Sequence, residues 1–147
     1  MSTKRNLLFV EDWPRPYQPM LTAIEEEFDL RVANSVDEAL VLLRSNVKEQ
    51  FDGVLIDARL RGPIPLELRA YGANSSARRR PNGQFLGAWI RENLEHVPYA
   101  YITLIPGYID LSFEKAHPNF KGVIDKESDD VLPKLINATI RRVLNFT

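Results

Sequence analysis

Gly53-Val54-Leu55-Ile56-Asp57 is the stretch on which the reading of this chain turns. Its unbroken apolar character suits a strand buried on both faces of a parallel sheet, and an aspartate closes it. Three other apolar runs close the same way. Leu7-Leu8-Phe9-Val10 ends in Glu11-Asp12, Tyr99-Ala100-Tyr101-Ile102 ends in Thr103, and Phe120-Lys121-Gly122-Val123-Ile124-Asp125 ends in Lys126. In an open parallel sheet the C-terminal strand ends form one edge, where ligands bind. Three carboxylates, a hydroxyl and an ammonium at one edge suit a divalent cation and a phosphoryl group.

Between these runs the apolar spacing is helical. Met20, Leu21, Ile24 and Phe28 follow the first run, and Pro14, Pro16 and Pro19 precede or open that helix without breaking it. Leu30-Arg31-Val32-Ala33 is a short second strand. Ser35-Val36-Asp37-Glu38 is a capping box, and it opens a helix with Val36, Ala39, Leu40 and Leu43 on one face. Gly83 to Asn93 predicts a helix with Phe85, Leu86, Trp89 and Ile90 inward. Pro98 opens the fourth strand, and a helix is expected near Leu111 to Ala116. Ser128 to Asn145 predicts the last helix, with Val131, Leu132, Leu135, Ile136, Thr139, Ile140, Val143 and Leu144 as its stripe. Strand then alternates with helix five times. Right-handed crossovers make that an α/β fold with a parallel sheet covered on both faces.

The 147 residues suit one domain, 1–147, with a proper core. Cysteine is absent, which excludes disulfides and thiolate chemistry. His96 and His117 make no metal motif, and no run is long enough to span a membrane. With a net charge of −1, bulk attraction to nucleic acid or anionic membrane is not expected. The N-terminus lacks the pattern of a secretory signal, so a cytoplasmic location is expected. Segment 58–82 breaks the rhythm. It holds Pro63, Pro65, Gly72 and Pro81, and six arginines against Glu67 alone, so the remainder of the chain is distinctly acidic. A loop of that length in a compact domain is usually functional or disordered. Arg78-Arg79-Arg80 within it reads as a solvated charge run or a surface for an anionic partner.

With Glu11-Asp12, Asp57, Thr103 and Lys126 in that order, each at a strand end, the chain resembles the receiver domains of two-component response regulators. The resemblance covers nearly everything outside 58–82. It implies a doubly wound five-stranded parallel sheet of flavodoxin-like (CheY-like) order 2-1-3-4-5. It also implies that Asp57 accepts a phosphoryl group from a histidine kinase or a phosphotransfer protein. Mg²⁺ would be held by Glu11, Asp12, Asp57 and the backbone carbonyl of Arg59, with Thr103 and Lys126 contacting phosphoryl oxygens. Such a domain is a signalling module rather than an enzyme, at most a weak autophosphatase. Only Asn145-Phe146-Thr147 follow the last helix, so output is expected through a downstream protein partner or a homodimer, on the face of the fourth helix, fifth strand and fifth helix.

Three positions depart from the family pattern. Leu104 follows the hydroxyl where a small residue is usual, and it is expected to narrow access. Val123 stands three before the lysine in place of the switch aromatic, with Tyr101 or Phe120 as candidate substitutes. Glu127 replaces the proline after the lysine. These departures leave open a second reading, a phosphorylation-independent binding scaffold. A haloacid-dehalogenase-like phosphatase expects an acid where Arg59 stands. A flavodoxin expects a hydroxyl- and glycine-rich loop where Glu11-Asp12-Trp13-Pro14 would repel phosphate.

Overall fold

The structure is a computed structural model that describes residues 4–45, 51–72, 82–104, 106–112, 114 and 117–146. Five strands, β1 (Asn6–Val10), β2 (Asp29–Ala33), β3 (Gly53–Asp57), β4 (Tyr99–Thr103) and β5 (Phe120–Asp125), form one parallel sheet. Its order is β2-β1-β3-β4-β5, as expected. Among the described residues four α-helices accompany it: α1 (Gln18–Glu27), α2 (Val36–Ser45), α3 (Asn82–Asn93) and α4 (Ile136–Val143).

Successive strand residues point to opposite faces, so each central strand feeds two cores. Leu7, Phe9, Leu55, Ala100 and Ile102 pack with Met20, Leu21 and Ile24 of α1 and Ile136 and Ile140 of α4. Leu8, Val10, Val54, Ile56, Tyr99 and Tyr101 pack with Val36, Ala39, Leu40 and Leu43 of α2 and Leu86, Trp89 and Ile90 of α3. That two-sided demand explains the unbroken apolar run of β3, every residue of which is buried. The capping box works with one change of partner. Ser35 Oγ accepts from the Glu38 N–H at 3.0 Å, while the Glu38 carboxylate accepts from Asn34 N at 3.1 Å, one residue earlier than the ordinary pattern.

Two predicted helices differ. The C-terminal segment is not one helix from Ser128. It forms a 3₁₀ turn (Asp129–Val131) and becomes α-helical only at Ile136. The cause is Pro133, which forces the preceding residue out of helical conformation. Leu132 accordingly lies at φ −59°, ψ 147°. Thr139 Oγ1 spans the break by donating to the carbonyls of Asp130 and Leu135. Leu132 and Leu135, expected inside, are instead exposed. Between β4 and β5 the expected helix near Leu111–Ala116 is absent among the described residues; that crossover shows a 3₁₀ turn (Pro106–Tyr108) and further turns. Asp110 Oδ1 accepts from Ser112 N, a local bond that competes with helix formation. Glu114 is turned fully inward, where Tyr101 Oη donates to its Oε1 at 2.8 Å and Gln84 Nε2 to its Oε2 at 3.4 Å.

Segment 58–82 is partly built into the core. A 3₁₀ stretch (Leu66–Gly72) packs on α3, and Leu60 and Leu68 are buried, with Ile64 and Tyr71 against the same cluster. Asn93 Nδ2 donates to Tyr71 Oη at 3.1 Å, and Glu67 pairs with Arg44 of α2. Arg78, Arg79 and Arg80 lie outside the described residues.

β5 carries an irregularity that sets its C-terminal end. Tyr99 pairs with Phe120 but Tyr101 with Val123, so one extra residue is absorbed near Gly122. Gly122 has φ +136°, a conformation open to glycine and costly to residues with a Cβ. The shift brings Thr103 opposite Asp125, and Lys126 N donates to the Thr103 carbonyl at 2.8 Å. Gly122→Ala is expected to lower stability by about 1–3 kcal/mol, and Leu68→Ala by about 2–5 kcal/mol. Urea unfolding measures both, and a near-zero value for Leu68 would detach the inserted segment from the core.

Candidate functional site

The C-terminal ends of β1, β3, β4 and β5 lie side by side because the sheet order makes them neighbours. Glu11 and Asp12 follow β1, Asp57 closes β3, Thr103 closes β4, and Lys126 follows β5. Lys126 Nζ reaches across β3 and lies 2.8 Å from Glu11 Oε1 and 3.0 Å from Asp57 Oδ2. All three side chains are largely buried. The ring of Tyr17 lies under the same ammonium, 4.3 Å from its centroid. Asp57 Oδ1 accepts from the backbone N–H of Arg59 at 2.9 Å, which folds the start of the inserted segment back over the carboxylate.

Three ligand oxygens, one each from Glu11, Asp12 and Asp57, lie within 4.8 Å of one another. Glu11 Oε2 is buried and has no hydrogen-bond partner, and neither has Thr103 Oγ1, on a residue with no exposed surface. An orphaned buried acceptor costs about 1–3 kcal/mol unless something meets it. The donor set is all oxygen, which suits a hard divalent cation such as Mg²⁺. The residues present therefore fit that ion.

Electrostatics separate the two buried acids. Burial is the main influence on Glu11; with the neighbouring Asp57 carboxylate it outweighs Lys126 and lifts the Glu11 carboxyl to about 8. Burial also pushes Asp57 up. The neighbouring Glu11 carboxyl, the Lys126 charge and the Arg59 N–H override it and hold Asp57 below the ordinary carboxylate range. For Lys126, burial disfavours the charge, but its bonds to Glu11 and Asp57 prevail and keep it an ammonium. In the absence of a metal, proton binding is thus favoured at Glu11 and disfavoured at Asp57.

Of the residues singled out in the sequence, Glu11, Asp12, Asp57 and Lys126 converge directly. Thr103 stands at the neighbouring strand end, and Arg59 joins through its backbone. Leu104 is 47% exposed. Glu127 uses the N–H that a proline would lack, donating to Asp125 Oδ1 at 2.9 Å. Sequence reading missed Tyr17 and Arg61. The Arg61 backbone N–H and Nε each lie 3.1 Å from Asp12 Oδ2, and its guanidinium lies 5.7 Å from the Trp13 ring centroid. No local pattern marks that pairing, because 49 residues separate its partners. A groove lined by Glu95, His96, Pro98, Lys121 and Phe146 lies at the opposite, N-terminal edge of the strands.

Because Glu11 binds its proton more tightly when folded, folding takes up a proton between pH about 4.5 and about 8. Metal-free stability is expected to fall as pH rises through that window, by at most about 1.4 kcal/mol per pH unit from this group. Urea unfolding from pH 5 to pH 8 checks it. Glu11→Gln should flatten the slope, and an identical slope in the variant would place the proton elsewhere.

Neither a protein-family model nor a curated protein sequence matches the chain. Solved structures do. The non-phosphorylated HemR receiver domain from Leptospira biflexa superposes with TM-score 0.66 at 22% identity, covering 98% of this chain and 97% of that one. The response regulator DrrB from Thermotoga maritima gives 0.61 at 16% identity over 97% of this chain, which spans 54% of DrrB's length. TrrA from Thermotoga maritima, solved in complex with Mg²⁺-BeF, gives 0.63 at 16% identity, covering 95% and 99% of the two chains. The fold is that of the response-regulator receiver domains.

Proposed function

We propose that this chain is a phosphoacceptor signalling domain in which Asp57 receives a phosphoryl group from the phosphohistidine of a histidine kinase or phosphotransfer protein. The observation that carries the proposal is the Thr103 hydroxyl, buried and unpartnered beside an aspartate already bonded to an ammonium. A structural threonine in that position would satisfy its hydroxyl on nearby backbone.

The residues divide the work simply. Asp57 is held ionised and supplies the attacking oxygen. As the new O–P bond forms, the P–N bond to the donor imidazole breaks, and the leaving nitrogen takes up a proton. Lys126 moves its hydrogen bond from Asp57 Oδ2 to a phosphoryl oxygen. Thr103 donates to another. Glu11, Asp12, Asp57 and the Arg59 carbonyl are the groups that would hold Mg²⁺, which when bound neutralises the oxygens that the reaction crowds together. Cytoplasmic location, slow hydrolysis by water and output through a protein partner or homodimer belong to the same proposal. Among the described residues no helix is long and apolar enough to cross a membrane.

One feature favours the alternative of a phosphorylation-independent binding scaffold. Tyr101, the aromatic nearest the missing switch position, is already fully inward and bonded to Glu114. An aromatic held there has no second rotamer to offer while that bond lasts.

Incubation with Mg²⁺ and acetyl phosphate or phosphoramidate is expected to add one phosphoryl group, read by intact mass. Asp57→Asn should abolish the increment, and Thr103→Ala should slow its appearance. A wild-type chain that binds Mg²⁺ yet gains no phosphoryl group from small donors or from a histidine kinase would leave the scaffold reading in place.

A further inference from the structure

Asp12 is the acid of the cluster that Lys126 does not serve. Lys126 Nζ is divided between Glu11 and Asp57, and the cation paired with Asp12 among the described residues is Arg61. The pairing is built from both ends of that residue. The backbone N–H and Nε of Arg61 converge on one oxygen, Asp12 Oδ2, each at 3.1 Å. The Asp12 side chain is only 15% exposed, whereas that of Arg61 is 74% exposed. The guanidinium also lies over the face of Trp13, itself more than half exposed. The backbone beyond Arg61 is held as well. Gly62 turns the chain at φ +93°, and Asn82 Nδ2 donates to its carbonyl at 2.8 Å.

We propose that Arg61 is an internal counter-ion of the metal site, a positioning residue that competes with the divalent cation for Asp12. It rests on the metal-site part of the function proposed above. The reasoning is chemical. A guanidinium on Asp12 repels a second cation at the same carboxylate, and Asp12 Oδ2 already accepts two donors, one of them charged. Entry of Mg²⁺ at Asp12 then competes with the guanidinium and, in this proposal, drives it off. The main-chain N–H stays in place, because it belongs to the turn. The mobile part is the exposed side chain, which loses little by returning to water. Since the guanidinium lies against Trp13, its departure changes the surroundings of an indole at the mouth of the site. Arg61 thus sets how tightly the unphosphorylated site holds its metal, and it belongs to the inserted segment.

The test is Mg²⁺ titration of the full chain at low ionic strength, by calorimetry and by tryptophan fluorescence. Four proteins are compared: wild type, Arg61→Gln, Arg61→Lys and Asp12→Asn. Arg61→Gln is expected to bind Mg²⁺ about two- to fivefold more tightly, the range of an exposed ion pair, and to lose most of the Mg²⁺-dependent fluorescence change. Arg61→Lys, which keeps the charge, is expected to stay near wild type. The gap between wild type and Arg61→Gln is expected to narrow as salt rises. A residue that merely anchors the loop would give the opposite sign, because losing it would loosen the site. Equal or weaker Mg²⁺ binding by Arg61→Gln, with Asp12→Asn defective, overturns the role of Arg61 while leaving the metal site standing. Absence of Mg²⁺ binding in wild type and Arg61→Gln alike overturns both.

Discussion

The ammonium of Lys126 joins three strands that are far apart in the chain. Its partners lie 115 and 69 residues away, on β1 and β3, and it arrives from β5. Two carboxylates buried this close could not both stay ionised without it, since desolvation and mutual repulsion would drive protons onto them. The ammonium offsets part of that cost, and the Asp57 carboxyl is held below its ordinary range while that of Glu11 stays raised. The sheet order and the shift at Gly122 deliver that nitrogen to that place. The backbone bond from Lys126 to Thr103 then fixes β4 against the same edge.

What surrounds this cluster differs on its two sides. The central strands are buried on both faces, and their cores leave little freedom at the strand ends. The chain past β4 is held differently. No described helix covers that crossover, and it is tied down in part by a buried carboxylate bonded by Tyr101 of β4 and Gln84 of α3. Polar networks of this kind are stable while complete and costly when one member is removed. Tyr101 is two residues from Thr103, on the same face of β4. A shift of the Thr103 hydroxyl would therefore be felt first at this bond.

Much of this was legible in the residues, for reasons of locality. A polar residue closing an apolar run is a feature of five or six consecutive positions. Four such closures in order carried both the sheet and the convergence of Glu11, Asp12, Asp57 and Lys126. Helix limits were less legible because two local signals conflicted. The stripe from Val131 to Leu144 argued for one long helix, and Leu132-Pro133 argued against it; steric exclusion at the residue before proline prevailed. The inserted segment held a readable signal that its prolines and charges obscured. Leu60, Ile64, Leu68 and Tyr71 recur at helical spacing and all meet the core. The pairing of Arg61 with Asp12, and of Tyr101 with Glu114, left no local trace, because each depends on elements meeting in space.

The two ends of the inserted segment touch. Gly83 N donates to the Ala58 carbonyl at 2.9 Å, and a Cβ at residue 83 would overlap the carbonyl oxygen of Asp57. The segment thus leaves the sheet and rejoins it at one point, as a closed loop hung on the end of β3. Closing such a loop grows only slowly more costly with length, by roughly 0.6 kcal/mol per doubling. Loop-closure cost alone therefore sets only a weak limit on the length of the segment. An insertion joined to the sheet at a single point leaves the strand pairing of β3 with β1 and β4 undisturbed on either side of it.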